Sequence, residues 1–265
     1  MLRPGQAFEG YLVEDALGHG GSATVYRAQS AHTGRLVALK VLNPDHRGAD
    51  ESARLKREFD LAQRASHPHV VDVYRRGAVW LTMQLIDGGT VTSLSLIDTK
   101  LTAVAQIAAA LDHAHKFGVV HCDVKPTNIL VHKDFSQGGA VLIDFGVAYA
   151  VSEDNRKAAR TLLGSLPYLA PEMLRGHAPS AATDEYALAC TTVELVTGRT
   201  PFVARTAAGL IDHQLHEPPP YLSRTFRWLP RGFDGVLGKG LAKDPELRYP
   251  TCSEFAAAVA RVFSH

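Results

Sequence analysis

"GVVHCDVKPTNILV", residues 118–131, places His121, Asp123, Lys125 and Asn128 between two apolar runs. Unpaired polar groups are costly where neighbouring residues are buried, so a cluster this dense calls for a chemical reason. If each fixed residue arises about once in twenty positions, this spacing turns up by chance in roughly one chain of this length in six hundred. An aspartate can accept a hydroxyl proton, a lysine can neutralise a phosphoryl group in transfer, and an asparagine oxygen can bind Mg²⁺. His121 has no partner at metal-ligand spacing and reads as a packed, hydrogen-bonded side chain.

Working outward, "VLIDFGVA" (141–148) ends an apolar run on Asp144, a carboxylate suited to Mg²⁺ on phosphates, with Gly146 allowing the chain to turn. The tripeptide alone arises by chance about once in thirty such chains, so it gains weight only from its company. Upstream, "RLVALKVL" (35–42) alternates as a strand, with Ala38, Lys40 and Leu42 on one face and Val37, Leu39 and Val41 on the other. A helix follows over 50–65, with Leu55, Phe59 and Ala62 as its apolar stripe and Glu58 beside them, where it can neutralise an inward Lys40. "LGHGGSATVY" (17–26) is a glycine-rich hairpin whose N–H groups can approach phosphate; on its own it is only a turn.

Further strands are expected over 69–77 and 78–86, and then the pattern changes at "DGG" (87–89). Beyond it, 3.6-residue periodicity predicts helices over 101–118 and 182–198, the second stopping at Gly198, and shorter ones over 233–243 and 253–263. The fold class is α+β, with a small antiparallel-sheet lobe carrying one main helix and a larger, mostly helical lobe.

Composition excludes several alternatives. A net charge of +1 in 265 residues argues against a general nucleic-acid binder. Cys122, Cys190 and Cys252 are scattered, which suits reduced thiols and neither a disulfide framework nor a cysteine zinc cluster. No signal peptide is visible at the start and no run is long enough to cross a bilayer, so the expectation is a cytoplasmic domain, by itself or as part of a longer membrane-anchored chain.

In order, "VALK", "HCDVKPTNIL", "DFG", "LPYLAPE" (166–172), "DEYALACTTVELVTGRTPF" and "LAKDPELRY" resemble the eukaryotic-type (Hanks-type) Ser/Thr protein kinases, most closely their bacterial branch. The resemblance covers residues 8–263, with a small lobe over 8–83, a hinge over 84–89 and a large lobe over 90–263. It implies ATP between the lobes. Leu17, Val25, Ala38 and Leu130 would enclose the adenine, Gln84 and Ile86 would hydrogen-bond its edge, and Met83 would stand behind. Gly18, Gly20 and Gly21 would cover the phosphates. Lys40, held by Glu58, would grip the α- and β-phosphates; Asn128 and Asp144 would bind Mg²⁺ or Mn²⁺; Asp123 would take the hydroxyl proton and Lys125 would steady the γ-phosphate. Ser165, at a position usually threonine, would lie near Asp123 and Lys125 and mark Ser/Thr acceptors. Arg248 would pair with Glu172. The implied partners are protein substrates, with autophosphorylation on the chain itself; neither nucleic acid nor a membrane segment is implied.

Three departures stand out. Ala23 replaces the third glycine of the phosphate loop, which predicts a stiffer loop. The connection over 90–101 is short, which predicts a reduced first helix in the large lobe. Cys122 replaces the arginine that in the family pairs with a loop phosphate, and a thiol cannot form that charge-assisted pair. A redox-sensing thiol is the alternative at 122; with Lys125 the only cation near it in sequence, Cys122 reads as a buried inert thiol, and the kinase as one without the usual phosphate latch. A pseudokinase scaffold is the alternative function; it would normally lose Lys40, Asp123, Asn128 or Asp144, and all four are present. A small-molecule kinase is disfavoured by Lys125 and "LPYLAPE".

Overall fold

A computed structural model of the chain describes residues 1–146, 148–150 and 163–264. Its first lobe is a six-stranded antiparallel sheet. The strands are β1 (Ala7–Phe8), β2 (Tyr11–His19), β3 (Ala23–Ser30), β4 (Leu36–Leu42), β5 (Val73–Arg76) and β6 (Trp80–Met83), in the order β1-β2-β3-β4-β6-β5. The alternation in β4 works on both faces. Ala38 and Leu42 join Leu55 and Phe59 of helix α1 (Ala49–Arg64), while Val37, Leu39 and Val41 pack with Tyr11, Tyr26 and Trp80. Tyr11 on β2 meets Trp80 on β6 edge to face at 5.8 Å, although two strands lie between them in the sheet. The sheet is therefore curled, and register shifts in the β2–β3 pairing add the local twist that curling needs.

The chain leaves this lobe through residues 84–89. Gly88 lies so close to a strand of the second lobe that a Cβ there would stand 2.5 Å from the Val131 carbonyl, so only glycine lets the two backbones meet. A single 3-10 turn at Val91–Ser93 is all the described helix ahead of α2 (Ile97–Lys116), in line with the short connection. Helix α2 starts four residues before the periodicity announces it.

The second lobe is built on α2, α5 (Ala181–Thr197) and α9 (Cys252–Phe263), packed around one apolar core. Between α2 and α5 run β7 (Val119–Val120), β8 (Ile129–Val131), α3 (Phe135–Gly138), β9 (Ala140–Leu142), β10 (Tyr149–Ala150) and α4 (Pro171–Leu174). Strands β8 and β9 form one antiparallel pair, β7 and β10 another. Helix α5 is buried along most of its length and stops at Gly198, whose φ of +76° suits glycine. Helices α6 (Ala207–His216), α7 (Leu222–Thr225) and α8 (Arg231–Gly240) complete the lobe; α6 and α7 were not expected from the sequence. Their half-exposed surfaces carry no clean apolar stripe.

Candidate active site

Strand β4 and helix α1 meet at the Lys40–Glu58 contact, where Nζ lies 2.6 Å from Oε1; the same ammonium reaches Asp144 at 3.3 Å. Burial works against the Lys40 charge, but Asp144 and Glu58 outweigh it and hold its pKa above the ordinary value. Burial lifts the Glu58 carboxyl while Lys40 pulls it down; the short contact to a firmly charged cation keeps this pair ionic. Asp144 is drawn down to about 2, chiefly by Lys40. Arg54 of α1 adds a bond to the Gly146 carbonyl at 2.9 Å, and Phe145 is buried beside Leu61 and Ala62 of α1 with its ring 4.8 Å from that of His121. The two lobes are thus joined through one aspartate and the residues beside it.

These groups open into a polar cavity of about 300 Å³ that also takes in Gly21, Asp123, Lys125 and Ser165. Beside it lies a more apolar cavity of about 540 Å³, lined by Leu17, Gly18, Val25, Ala38, Met83, Gln84, Ile86 and Leu130 among others. Ala38 and Lys40 on β4, and the consecutive Ile143 and Asp144, tie the two into one cleft. The Gln84 N–H is engaged by the Asp72 carbonyl at 2.8 Å; among the described residues no hydrogen bond engages the Gln84 carbonyl or the Ile86 backbone. Gly20 lines neither cavity: its N–H bonds the Ala23 carbonyl at 2.8 Å, closing the hairpin turn, while Ala23 itself is buried.

Between β7 and β8, Asp123 is the hub. Lys125 Nζ donates to both its oxygens at 3.0 and 2.8 Å, and the Asn128 amide donates to its Oδ2 at 2.8 Å and to its carbonyl at 2.9 Å. Ser165 closes the triangle: its hydroxyl donates to Asp123 at 2.5 Å and accepts from Lys125 at 2.7 Å. With its N–H groups committed, Asn128 has its amide oxygen left for a hard cation, and Asp144 is fully ionised nearby. This oxygen donor set fits Mg²⁺. His121 is fully buried; Nδ1 accepts from the Asp123 N–H at 3.3 Å, while Nε2 lies 3.1 Å from the Ile143 carbonyl, the packed role its spacing implies.

Cys122 is buried with φ +65°, an unusual backbone for a residue with a side chain. Asp184, in the first turn of α5, holds it there: Oδ1 accepts the Cys122 N–H and Oδ2 the His121 N–H, each at 2.8 Å. Burial, with Asp184 and Asp123 adding to it, keeps the thiol protonated. Arg57 of α1 is the cation that pulls the thiol the other way, without overcoming burial. Arg57 is distant in sequence and was invisible for that reason.

The family model for the protein kinase domain matches residues 11–257. The Ser/Thr protein kinases PknJ and PknD of Mycobacterium tuberculosis are each 38% identical to the chain, over 98% and 96% of it and 46% and 40% of their own lengths. The kinase domain of M. tuberculosis PknI superposes with a TM-score of 0.76 at 32% identity, covering 100% of both chains. The chain belongs to the protein kinase family, in its bacterial Hanks-type branch. It spans about half the length of the curated relatives it matches, 46% of PknJ and 40% of PknD, and no helix among the described residues is long and apolar enough to cross a membrane.

Within this kinase fold, sequence reasoning missed two residues that shape the site. Asp184 is one; an acid in the first turn of a helix reads as a partner of the helix dipole, and only the tertiary structure turns it toward the 121–122 backbone. Asn43 is the other. Its amide donates to the Gly20 and Gly21 carbonyls at 3.1 Å each, its Oδ1 accepts from Thr24 at 2.9 Å and its N–H bonds the Ser22 carbonyl at 2.8 Å. The glycine-rich turn is braced from the end of β4, which adds to the stiffening expected from Ala23. Glu172 and Arg248 meet as the resemblance implied, in a two-pronged pair at 2.8 Å on each prong.

Proposed function

We propose that this domain transfers the γ-phosphoryl group of ATP to Ser or Thr hydroxyls of proteins. The observation that carries the reading is the shared cavity: Lys40, Glu58 and Asp144 face the Asp123–Lys125–Ser165 triangle across it. The apolar half of the cleft suits an adenine, with the Gln84 carbonyl and Ile86 backbone for its edge. Gly18 and Gly21 lie over the phosphates, with Gly20 closing the turn between them, and Lys40, fixed by Glu58, neutralises the inner two. Lys125 lies against the outer one. Asn128 and Asp144 would hold Mg²⁺, or Mn²⁺ in its place, which when bound offsets phosphate charge. The acceptor hydroxyl oxygen attacks phosphorus, its bond forms as the bond to the ADP oxygen breaks, and the hydroxyl proton passes to Asp123. Most of the rate then comes from positioning and charge, not from covalent chemistry.

The test is Asp123→Asn, which keeps shape and removes the proton acceptor. Turnover on a Ser/Thr peptide is expected to fall roughly 10²–10⁴-fold with nucleotide affinity nearly unchanged. Wild-type turnover in that variant would remove Asp123 from the role.

The reading extends to regulation. A thiol at 122 cannot form a charge-assisted pair with a phosphate, so activity should depend little on phosphorylation of the loop hydroxyls, with autophosphorylation there a by-product. Ser152 and Thr161, like Arg156, Lys157 and Arg160, lie outside the described residues. Phosphatase-treated protein and a Ser152→Ala, Thr161→Ala variant should match untreated protein on an external peptide. A large loss in both would show that another cation, Arg57 foremost, acts as the latch.

A further inference from the structure

Behind the catalytic segment, on the side away from the cleft, α2 and α9 bring together Asp112, His115 and Cys252, with one ligating atom of each within 4.8 Å of the others. We propose that these three side chains form a binding site for a zinc-like divalent cation. The donor set is one carboxylate oxygen, one imidazole nitrogen and one sulfur, a combination that selects a borderline-soft ion over Mg²⁺ or Ca²⁺. Three protein ligands leave the fourth tetrahedral position to water.

The surroundings match what such a site needs. His115 Nε2 lies 2.8 Å from Asp184 Oδ2, so one ring nitrogen is already oriented by a carboxylate and Nδ1 is the nitrogen left for a cation. Carboxylate–imidazole pairs of this kind fix ring and tautomer in metal sites. Asp112 and His115 are three residues apart on α2 and share a face. Each Asp112 oxygen accepts one backbone N–H of the α9 start, from Cys252 and Ser253 at 2.9 Å, which leaves a further lone pair on each. A cap of α9 explains those two bonds, but a cap requires neither an imidazole nor a thiol. Cys252 is 1% exposed while Asp112 and His115 are half-buried, so the pocket has a dry sulfur and a side reachable from water.

Burial, helped by Asp112 and Asp184, keeps the Cys252 thiol protonated in the metal-free state. Binding must therefore release that proton to solvent as the sulfur–metal bond forms, and affinity should rise with pH. Asp184 would connect the site to the catalytic segment, since its carboxylate holds both His115 and the N–H groups of His121 and Cys122.

The experiment uses the full chain, stripped of metal and titrated with Co²⁺ and then Zn²⁺. Expected are a thiolate-to-cobalt charge-transfer band with the visible bands of a tetrahedral ion, both lost on adding zinc, and a zinc-dependent rise in melting temperature. Cys252→Ala should abolish the band and weaken zinc binding at least about tenfold, and Asp112→Asn should weaken it by a similar factor. Metal-free melts check folding, with Cys252→Ser as the second variant should the alanine protein be unstable. The histidines at 67, 69 and 113 could gather metal elsewhere, but without sulfur they give no charge-transfer band. No band in the wild type, or a band that persists in Cys252→Ala and Cys252→Ser, overturns the proposal.

Discussion

Two ion pairs join distant parts of this chain, and they are built differently. In the cleft, Lys40 is divided between Glu58 and Asp144, and the Asp144 side chain is 42% exposed. In the core of the large lobe, Arg248 grips Glu172 with both prongs at exposures of 0% and 5%. Two more of its N–H groups are engaged, on Nε by the Ala242 carbonyl and on Nη1 by that of Ala182, and Glu172 accepts a further bond from Thr183. A cation shared between two carboxylates at a solvent-facing edge can turn to a third anion. A sealed pair with a bond on each of its nitrogens and carboxylate oxygens cannot, and serves to fasten α4 to the segment that leads into α9. The cleft pair is therefore arranged for chemistry and the core pair for stability.

The largest effects should separate the two cleanly. Lys40→Met removes a positioned cation from the phosphate site, and such electrostatic donors are worth about 10²–10³ in turnover. The melting temperature should change little, because Glu58 lies at the cavity wall and can take a proton once its partner is gone. Peptide phosphorylation and a thermal melt on the same preparation check both halves. Undiminished phosphorylation would point to another lysine, and a collapse of stability would make Lys40 a structural residue.

Glu172→Gln should do the opposite. Breaking one side of a buried pair leaves a desolvated charge, at a cost of about 3–5 kcal/mol in denaturant unfolding. Any loss of turnover should vanish once activity is scaled to the folded fraction. A stable but inactive variant would show that the core pair sets the cleft directly.

The contrast also explains what the sequence discloses. Lys40, Glu58, Asp123, Lys125, Asn128 and Asp144 stand in ordered local patterns that resemble those of the kinases, and it was the resemblance, not the spacing, that implied they meet in one site. The curl of the sheet was not legible, because it depends on contacts such as Tyr11 with Trp80 across 69 positions of chain. The early start of α2 was hidden for a local reason: Leu96 at its N-cap offers no side-chain cap. Asp184 and Asn43 escaped because a lone polar residue has no periodicity; only the backbone it captures gives it a role.

The smallest effect concerns Glu185, which adjoins the core pair and was unmarked in sequence. It is 1% exposed and neither carboxyl oxygen has a hydrogen-bond partner among the described residues. Burial pushes its pKa from 4.5 up to about 9, with Arg248 and Lys239 pulling down and Glu172 adding to the rise. Arg248 bonds the Ala182 carbonyl one turn earlier on α5, so guanidinium and carboxyl share a helix face. The folded protein thus keeps a proton on Glu185 that the unfolded chain releases above its ordinary value. Stability contributed by this group is therefore greatest below about pH 4.5 and declines as pH rises toward about 9. Glu185→Gln carries no such proton, so its stability relative to wild type should grow over that window, reaching on the order of 1–2 kcal/mol near neutrality. In a Glu172→Gln background the sign should reverse. There Arg248 is left without its carboxylate, Glu185 can lose its proton and take over the pairing, and replacing it with glutamine removes the rescue. Denaturant unfolding of the two single variants and the double variant at several pH values measures this coupling directly. Simple additivity would mean that Glu185 stays neutral whatever happens to its neighbour and that the core pair has no second acceptor, whereas a pH slope unchanged by Glu185→Gln would mean that the buried carboxyl is already ionised in the folded protein.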